Sequence, residues 1–142
     1  MKVPGTNEAK GARHRKRRKD MYSIKIKRVY QDSSEDDGYR ILVDRLWPRG
    51  ISKEKINIHK WAKEITPSTE LRKTFKHDPD TMDEFRARYN FELDNNEHAL
   101  DFINLLKDKL KEGNVTLLYA AKNEEFNHAI VLKEWIERMI SN

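Results

Sequence analysis

The chain has 142 residues, a length typical of one domain, with 37% hydrophobic and 37% charged residues. It contains no cysteine, which excludes disulfides, thiol nucleophiles and cysteine-based zinc sites. Its net charge of +5 comes from residues 1–20, where eight basic and two acidic side chains give +6. Residues 21–142 are therefore close to neutral, and their composition does not indicate a nucleic-acid-binding domain.

Residues 1–20 hold almost no large apolar side chain and a dense cluster of Arg and Lys, so we expect a disordered basic leader. This leader is either an arm that grips phosphates or a segment without a role, upstream of a natural start at Met21. No secretion signal or membrane-spanning run is evident, so a cytoplasmic location and no membrane partner are expected.

Residues 21–142 show the pattern of a single α/β domain. Alternating apolar residues predict a first strand over 23–30, and apolar runs predict strands over 39–46 and 115–121. Helices are predicted from Pro67 to about Phe75, after Asp78-Pro79, along 99–110 and over 124–139, with Gly113 as a left-handed cap. Residues 56–65 fit either a strand or a short helix. We therefore expect a small three-layer domain with a mostly parallel central sheet flanked by helices.

The first candidate site follows the second strand, where ligands commonly bind in open α/β sheets. Arg45 and Arg49 are suited to clamp a phosphate or carboxylate, and Trp47 to stack on a ring. The structural alternatives are that Arg45 pairs with Asp44 or another carboxylate and that Trp47 belongs to the core.

The second candidate site follows the strand over 115–121. Lys122 and Asn127 would complete an anion cradle at the start of the last helix, and His128, with Asp44, would be the proton-transfer candidate. The alternative is that Asn127 and His128 cap or orient the loop.

A third group offers an extension of the pocket. Ser68 and Arg72 share a helix face, but Ser68 is also a natural cap and Arg72 is within reach of Glu64 or Glu70. His77 is interpreted as part of the turn before Asp78. No glycine-rich phosphate loop and no paired histidines occur, so neither a cofactor nor a metal is predicted.

Several strings together resemble a known family. They are Ile24–Tyr30, Tyr39–Gly50, Thr66–Arg72, His77-Asp78-Pro79, Val115–Lys122 and Asn127-His128-Ala129. The chain resembles the short YeaO-like branch of a bacterial family of unknown function, which implies an α/β fold and a bacterial cytoplasmic protein. Longer members carry a Cys, a Glu two residues on, and a later Cys-His-Arg, where this chain has Tyr119, Ala121 and Asn127-His128-Ala129.

The sequence thus favours an uncharacterised protein with a pocket for a small anionic ligand, with an enzyme acting on that ligand as one possibility. The alternative is a non-enzymatic module that binds protein, or nucleic acid through the basic leader. The sequence does not specify an oligomeric state.

Overall fold

A computed structural model describes residues 22–141, which form a four-stranded, all-parallel sheet with helices packed on it. The strands are β1 (Ile24–Arg28), β2 (Tyr39–Leu42), β3 (Lys60–Trp61) and β4 (Val115–Tyr119). Their spatial order is β1-β4-β2-β3. The predicted α/β architecture is confirmed, whereas the predicted leader lies outside the described residues.

Within residues 22–141, five α-helices connect and cover the strands. They are α1 (Lys53–Ile56), α2 (Thr69–Thr74), α3 (Pro79–Asp94), α4 (Ala99–Leu110) and α5 (His128–Ser141). Among the helices of residues 22–141, none combines the length and apolar composition that a membrane span requires.

The two faces of the sheet are buried to different extents, because successive strand residues point to opposite sides. Ile41 and Leu117 face a large core built with the long helices. Leu42 and Leu118 face a smaller core that includes Ile56 of α1 and the partly buried Trp47. The layer on this second face is therefore one short helix and a loop.

The carboxyl ends of three strands meet at one edge of the sheet. Leu42 of β2 is in register with Leu118 of β4, and Arg28 of β1 is in register with Tyr119. The loops that follow these strands therefore emerge side by side. This shared edge holds the candidate site.

Both predicted long strands end earlier than expected. β2 stops at Leu42 rather than at Leu46, although the Val43 N–H still donates to Leu118 at 3.0 Å. β4 stops at Tyr119 because the N–H of Ala120 donates to the Asp44 carboxylate instead of to a strand.

Helix starts and ends also differ from the sequence interpretation where side chains compete for them. α2 begins after Ser68, whose hydroxyl accepts from the Leu71 N–H, so Pro67 precedes the cap instead of opening the helix. α5 begins at His128 rather than at Glu124. Within residues 22–141, the positive φ angles fall on Gly38, Gly50, Asn57 and His77, so the left-handed conformation predicted for Gly113 is wrong.

Candidate functional site

A cavity of about 390 Å³ opens where the loops after β1, β2 and β4 meet. Its charged and titratable lining residues are Asp44, Arg45, Arg49, Arg72, His77 and His128. Its aromatic lining residues are Tyr30, Trp47, Phe75 and Phe85. The sequence prediction that two strand-end loops meet is thus realised in the geometry.

Asp44 joins the β2 and β4 loops. Its Oδ2 accepts a hydrogen bond from the Ala120 N–H at 2.9 Å, and its backbone carbonyl accepts from Trp61 Nε1 at 2.7 Å. Its Oδ1 lies 2.9 Å from His128 Nε2. Asp44 is therefore held from three sides, and its orientation is fixed by neighbours on two other strands or their loops.

His128 is the first residue of α5, and its side chain is only 15% exposed. Its Nε2 lies 2.9 Å from the Val43 carbonyl, which accepts only, so Nε2 carries a proton. That proton points to the carbonyl, and Asp44 Oδ1 is left buried beside the ring without a hydrogen-bond donor. The other ring nitrogen, Nδ1, has no hydrogen bond within residues 22–141.

Arg45 is half-buried and has an incomplete set of partners. Its Nη2 donates to the Pro67 carbonyl at 3.2 Å, whereas its Nε is buried without a hydrogen bond. Within residues 22–141, no carboxylate lies within ion-pairing distance of this guanidinium. The alternative that Arg45 pairs with Asp44 is therefore wrong, because that acid is oriented toward Ala120 and His128.

Arg49 and Arg72 are exposed at the cavity and, among the described residues, likewise have no ion-pair partner. Glu64, one of the two acids expected to hold Arg72, instead pairs with Lys60 at 3.6 Å, and Glu70, the other, forms no ion pair within the described residues. Three guanidiniums thus line one cavity without an ion pair to any described residue.

Trp47 lies between the smaller core and the cavity. Its Nε1 donates to the Ile51 carbonyl at 2.7 Å, and its ring meets Trp61 edge to face with centroids 5.3 Å apart. The residue packs against the smaller core while also lining the cavity.

Three predicted ligand contacts are placed outside the lining. Lys122 is exposed and is not among the residues that line the cavity. Asn127 is fully buried, and its Oδ1 accepts from the Ile130 N–H at 3.0 Å as a helix cap. Ser68 donates to Glu92 Oε2 at 2.6 Å, and it caps α2 as its structural alternative proposed.

Arg28 and Tyr30 contribute to the site although the sequence interpretation did not include them. Arg28 donates from Nε to the Ala121 carbonyl at 2.9 Å and from Nη2 to the Ala120 carbonyl at 3.0 Å. The Tyr30 hydroxyl donates to the Arg49 carbonyl at 2.9 Å. Their position at the end of a strand parallel to β4 is the signal that would have identified them.

His77 lies in the predicted turn and also lines the cavity. Its φ of 57° is left-handed, which is costly for a residue other than glycine, and its ring packs at a tilt of 35° against Phe75 with centroids 4.5 Å apart. Desolvation of the ring lowers the pKa of His77 below its ordinary value, and repulsion from His128 adds to this effect. His77 is therefore neutral at pH 7.

The part of the chain that the structure describes contains no set of side chains arranged to bind a metal ion. Across residues 22–141, no group of three or more His, Asp or Glu side chains is arranged to hold a metal ion. Asp44 and His128 contact each other, but no third such ligand joins them.

The chain was compared with known proteins. A family model named DUF488-N3i, described as the inactive DUF488-N3 subclade, matches residues 23–142. The uncharacterized protein YeaO of Escherichia coli strain K12 is 48% identical over 117 residues, which cover 82% of this chain and 99% of YeaO. The uncharacterized protein Rv3073c of Mycobacterium tuberculosis is 38% identical over 111 residues, covering 78% and 91% of the two chains. No solved structure gives a significant match. The resemblance read from the sequence is thereby confirmed, and the chain belongs to the DUF488-N3i family.

Proposed function

We propose that the cavity binds a small anion bearing a phosphate or carboxylate group. The observation that carries this proposal is that Arg45, Arg49 and Arg72 line one cavity and have no ion pair within the described residues. Guanidinium groups match the geometry of phosphate and carboxylate oxygens, and two of them can hold one anion from different sides.

The charge of the cavity supports an anion over a cation or a neutral ligand. Three arginines oppose one carboxylate, Asp44, so the lining carries a charge of +2 before any contribution from its two histidines. That carboxylate is already engaged by the Ala120 N–H. An incoming anion would therefore meet cations whose charge no neighbouring acid has cancelled.

The role we propose is binding without turnover. The family is described as an inactive subclade. In this chain Val43 and Asp44 hold His128 Nε2 in place, an arrangement that suits a positioning residue. The proton-transfer role predicted for His128 and Asp44 would require substrate at Nδ1. The nucleic-acid alternative depends on the leader, which lies outside the described residues.

Isothermal titration of the full chain with inorganic phosphate and with citrate tests the proposal. We expect Arg45→Met and Arg72→Met each to weaken binding about tenfold, because a hydrogen bond to a charged group contributes about 1.5–3 kcal/mol. Arg88→Met is the matched control, since Arg88 is exposed on α3 and pairs only with Glu84 at 3.5 Å.

The outcome also separates the cavity from the basic leader. Binding that persists unchanged in both cavity variants would assign the anion to other basic residues and contradict the proposal. Binding that all three substitutions weaken equally would show a nonspecific charge effect and contradict it as well.

A further inference from the structure

The aromatic residues that line the cavity indicate the chemical class of the ligand, which the arginines alone do not. Tyr30 and Trp47 line the cavity, and each uses its polar atom on a protein carbonyl, at Arg49 and Ile51 respectively. Neither therefore has its hydroxyl or indole hydrogen available for a ligand. What these side chains present to the cavity is ring surface.

His77 adds to this ring surface. Its imidazole packs against Phe75 with the ring planes tilted by 35°, and Phe75 in turn stacks on Phe85 with centroids 4.0 Å apart and planes 13° from parallel. No side-chain hydrogen bond or ion pair of His77 occurs within residues 22–141, where its backbone carbonyl alone accepts, from Asn123. Its lowered pKa keeps the ring neutral, so it acts as an aromatic surface rather than as a fourth cation.

The backbone conformation of His77 supports a role for this residue in binding a ligand at the cavity. A left-handed φ of 57° at a non-glycine residue costs free energy, and such outliers cluster at ligand sites. Here the costly backbone conformation places the neutral imidazole of His77, packed against Phe75, at the wall of the cavity. The same cavity is lined by the three arginines that have no ion pair within the described residues.

From this juxtaposition we propose that the ligand is an anion carrying a flat aromatic ring, such as an aryl phosphate or a nucleoside monophosphate. Arg45 and Arg72 bind its phosphate, and His77 and Trp47 contact its ring. This inference rests on the proposed anion site and adds the chemical class of the ligand.

Matched ligand pairs that differ in the ring provide the test. The affinities of phenyl phosphate and cyclohexyl phosphate are measured by titration calorimetry on the full chain, and those of adenosine 5′-monophosphate and ribose 5-phosphate in a second pair. An aromatic pair contributes about 0.5–1.5 kcal/mol beyond its buried area, so we expect the ring-bearing member to bind about two- to tenfold more tightly.

Variants then locate the preference. His77→Asn removes the ring while keeping a residue that tolerates a left-handed φ, and should bring the phenyl-to-cyclohexyl affinity ratio close to one. His77→Phe should retain the preference. His98→Asn is the matched control, because His98 is exposed before α4 and, within residues 22–141, its side chain pairs only with Glu97. Thermal melting of each variant reports whether it is folded.

The outcomes distinguish this inference from the one on which it rests. Equal affinity for both members of each pair, still dependent on Arg45, would overturn the ring preference and leave the anion site standing. A preference that survives both His77→Asn and Trp47→Leu would overturn the assignment of the ring wall. No binding of phosphate or of any ester would overturn both proposals.

Discussion

Replacing Asp44 by Asn should destabilise the fold while strengthening anion binding. The Asn amide oxygen can still accept from the Ala120 N–H, which Asp44 Oδ2 now accepts at 2.9 Å. The negative charge, however, is lost from a side chain that is only 15% exposed and lies 2.9 Å from His128. The substitution therefore exchanges a charge-assisted hydrogen bond for a neutral one and removes the acid from the cavity.

The magnitude follows from the difference between these two kinds of hydrogen bond. A bond to a charged group contributes about 1.5–3 kcal/mol and a neutral one about 0.5–1.5 kcal/mol, so Asp44→Asn should cost about 1–2 kcal/mol. For a domain of this size the melting temperature should fall by about 3–10 °C. Phosphate should bind more tightly because the lining changes from +2 to +3.

Urea unfolding and phosphate titration of the same sample measure both effects. If the variant is as stable as the native chain, the charge of Asp44 does not strengthen its hydrogen bond to the Ala120 N–H. If phosphate binding weakens in a variant that remains folded, Asp44 assists the anion rather than opposing it, and the electrostatic reasoning for the cavity is refuted.

Three further predictions concern groups that stabilise the fold without lining the cavity. Asn127→Ala should cost about 1–2 kcal/mol by urea unfolding, since it removes a helix cap, and should leave phosphate affinity unchanged. Gly38→Ala should cost about 3 kcal/mol or more, because φ is 64° and the new Cβ would lie 2.0 Å from the Asn114 carbonyl oxygen; a well-folded variant would contradict this geometry. Burial opposes ionisation of Asp37, yet Lys27 and Arg40, with the Ser34 N–H, lower its pKa below 3.8, so its contribution to stability should persist above pH 3.8 and be lost as pH falls below it. Acid titration of Asp37→Asn against the native chain checks that sign.

The edge of the sheet could be predicted from the sequence because it depends on local pattern and parallel pairing alone. Two apolar runs, each followed by polar residues, place their loops together once the strands are parallel. That reasoning brought Asp44, Arg45 and His128 to one place, where the structure has them. It required no knowledge of how any side chain is oriented.

The residues that the sequence assigned differently have partners far away in the chain. Ser68 binds Glu92, 24 residues later, and this contact directs its hydroxyl away from the cavity. Asn127 precedes a helix, where an amide can serve either as a helix cap or as a hydrogen-bond donor to a ligand. In the structure Asn127 is buried and caps the helix. Arg72 was predicted to pair with Glu64 or Glu70, but Glu64 contacts Lys60 instead.

Within residues 22–141, the absence of an ion-pair partner for Arg45 follows from how Asp44 is used. Asp44 is the neighbouring residue and the lining acid, yet its Oδ2 is committed to the Ala120 N–H and its Oδ1 lies beside His128. Joining the β2 and β4 loops through this carboxylate therefore leaves the adjacent guanidinium uncompensated, with a buried Nε that has no hydrogen bond. A buried donor without a partner costs about 1–3 kcal/mol. An anion that lets the Arg45 side chain complete its hydrogen bonds would recover part of that cost, so the contact that holds the loops together also creates the electrostatic basis for binding.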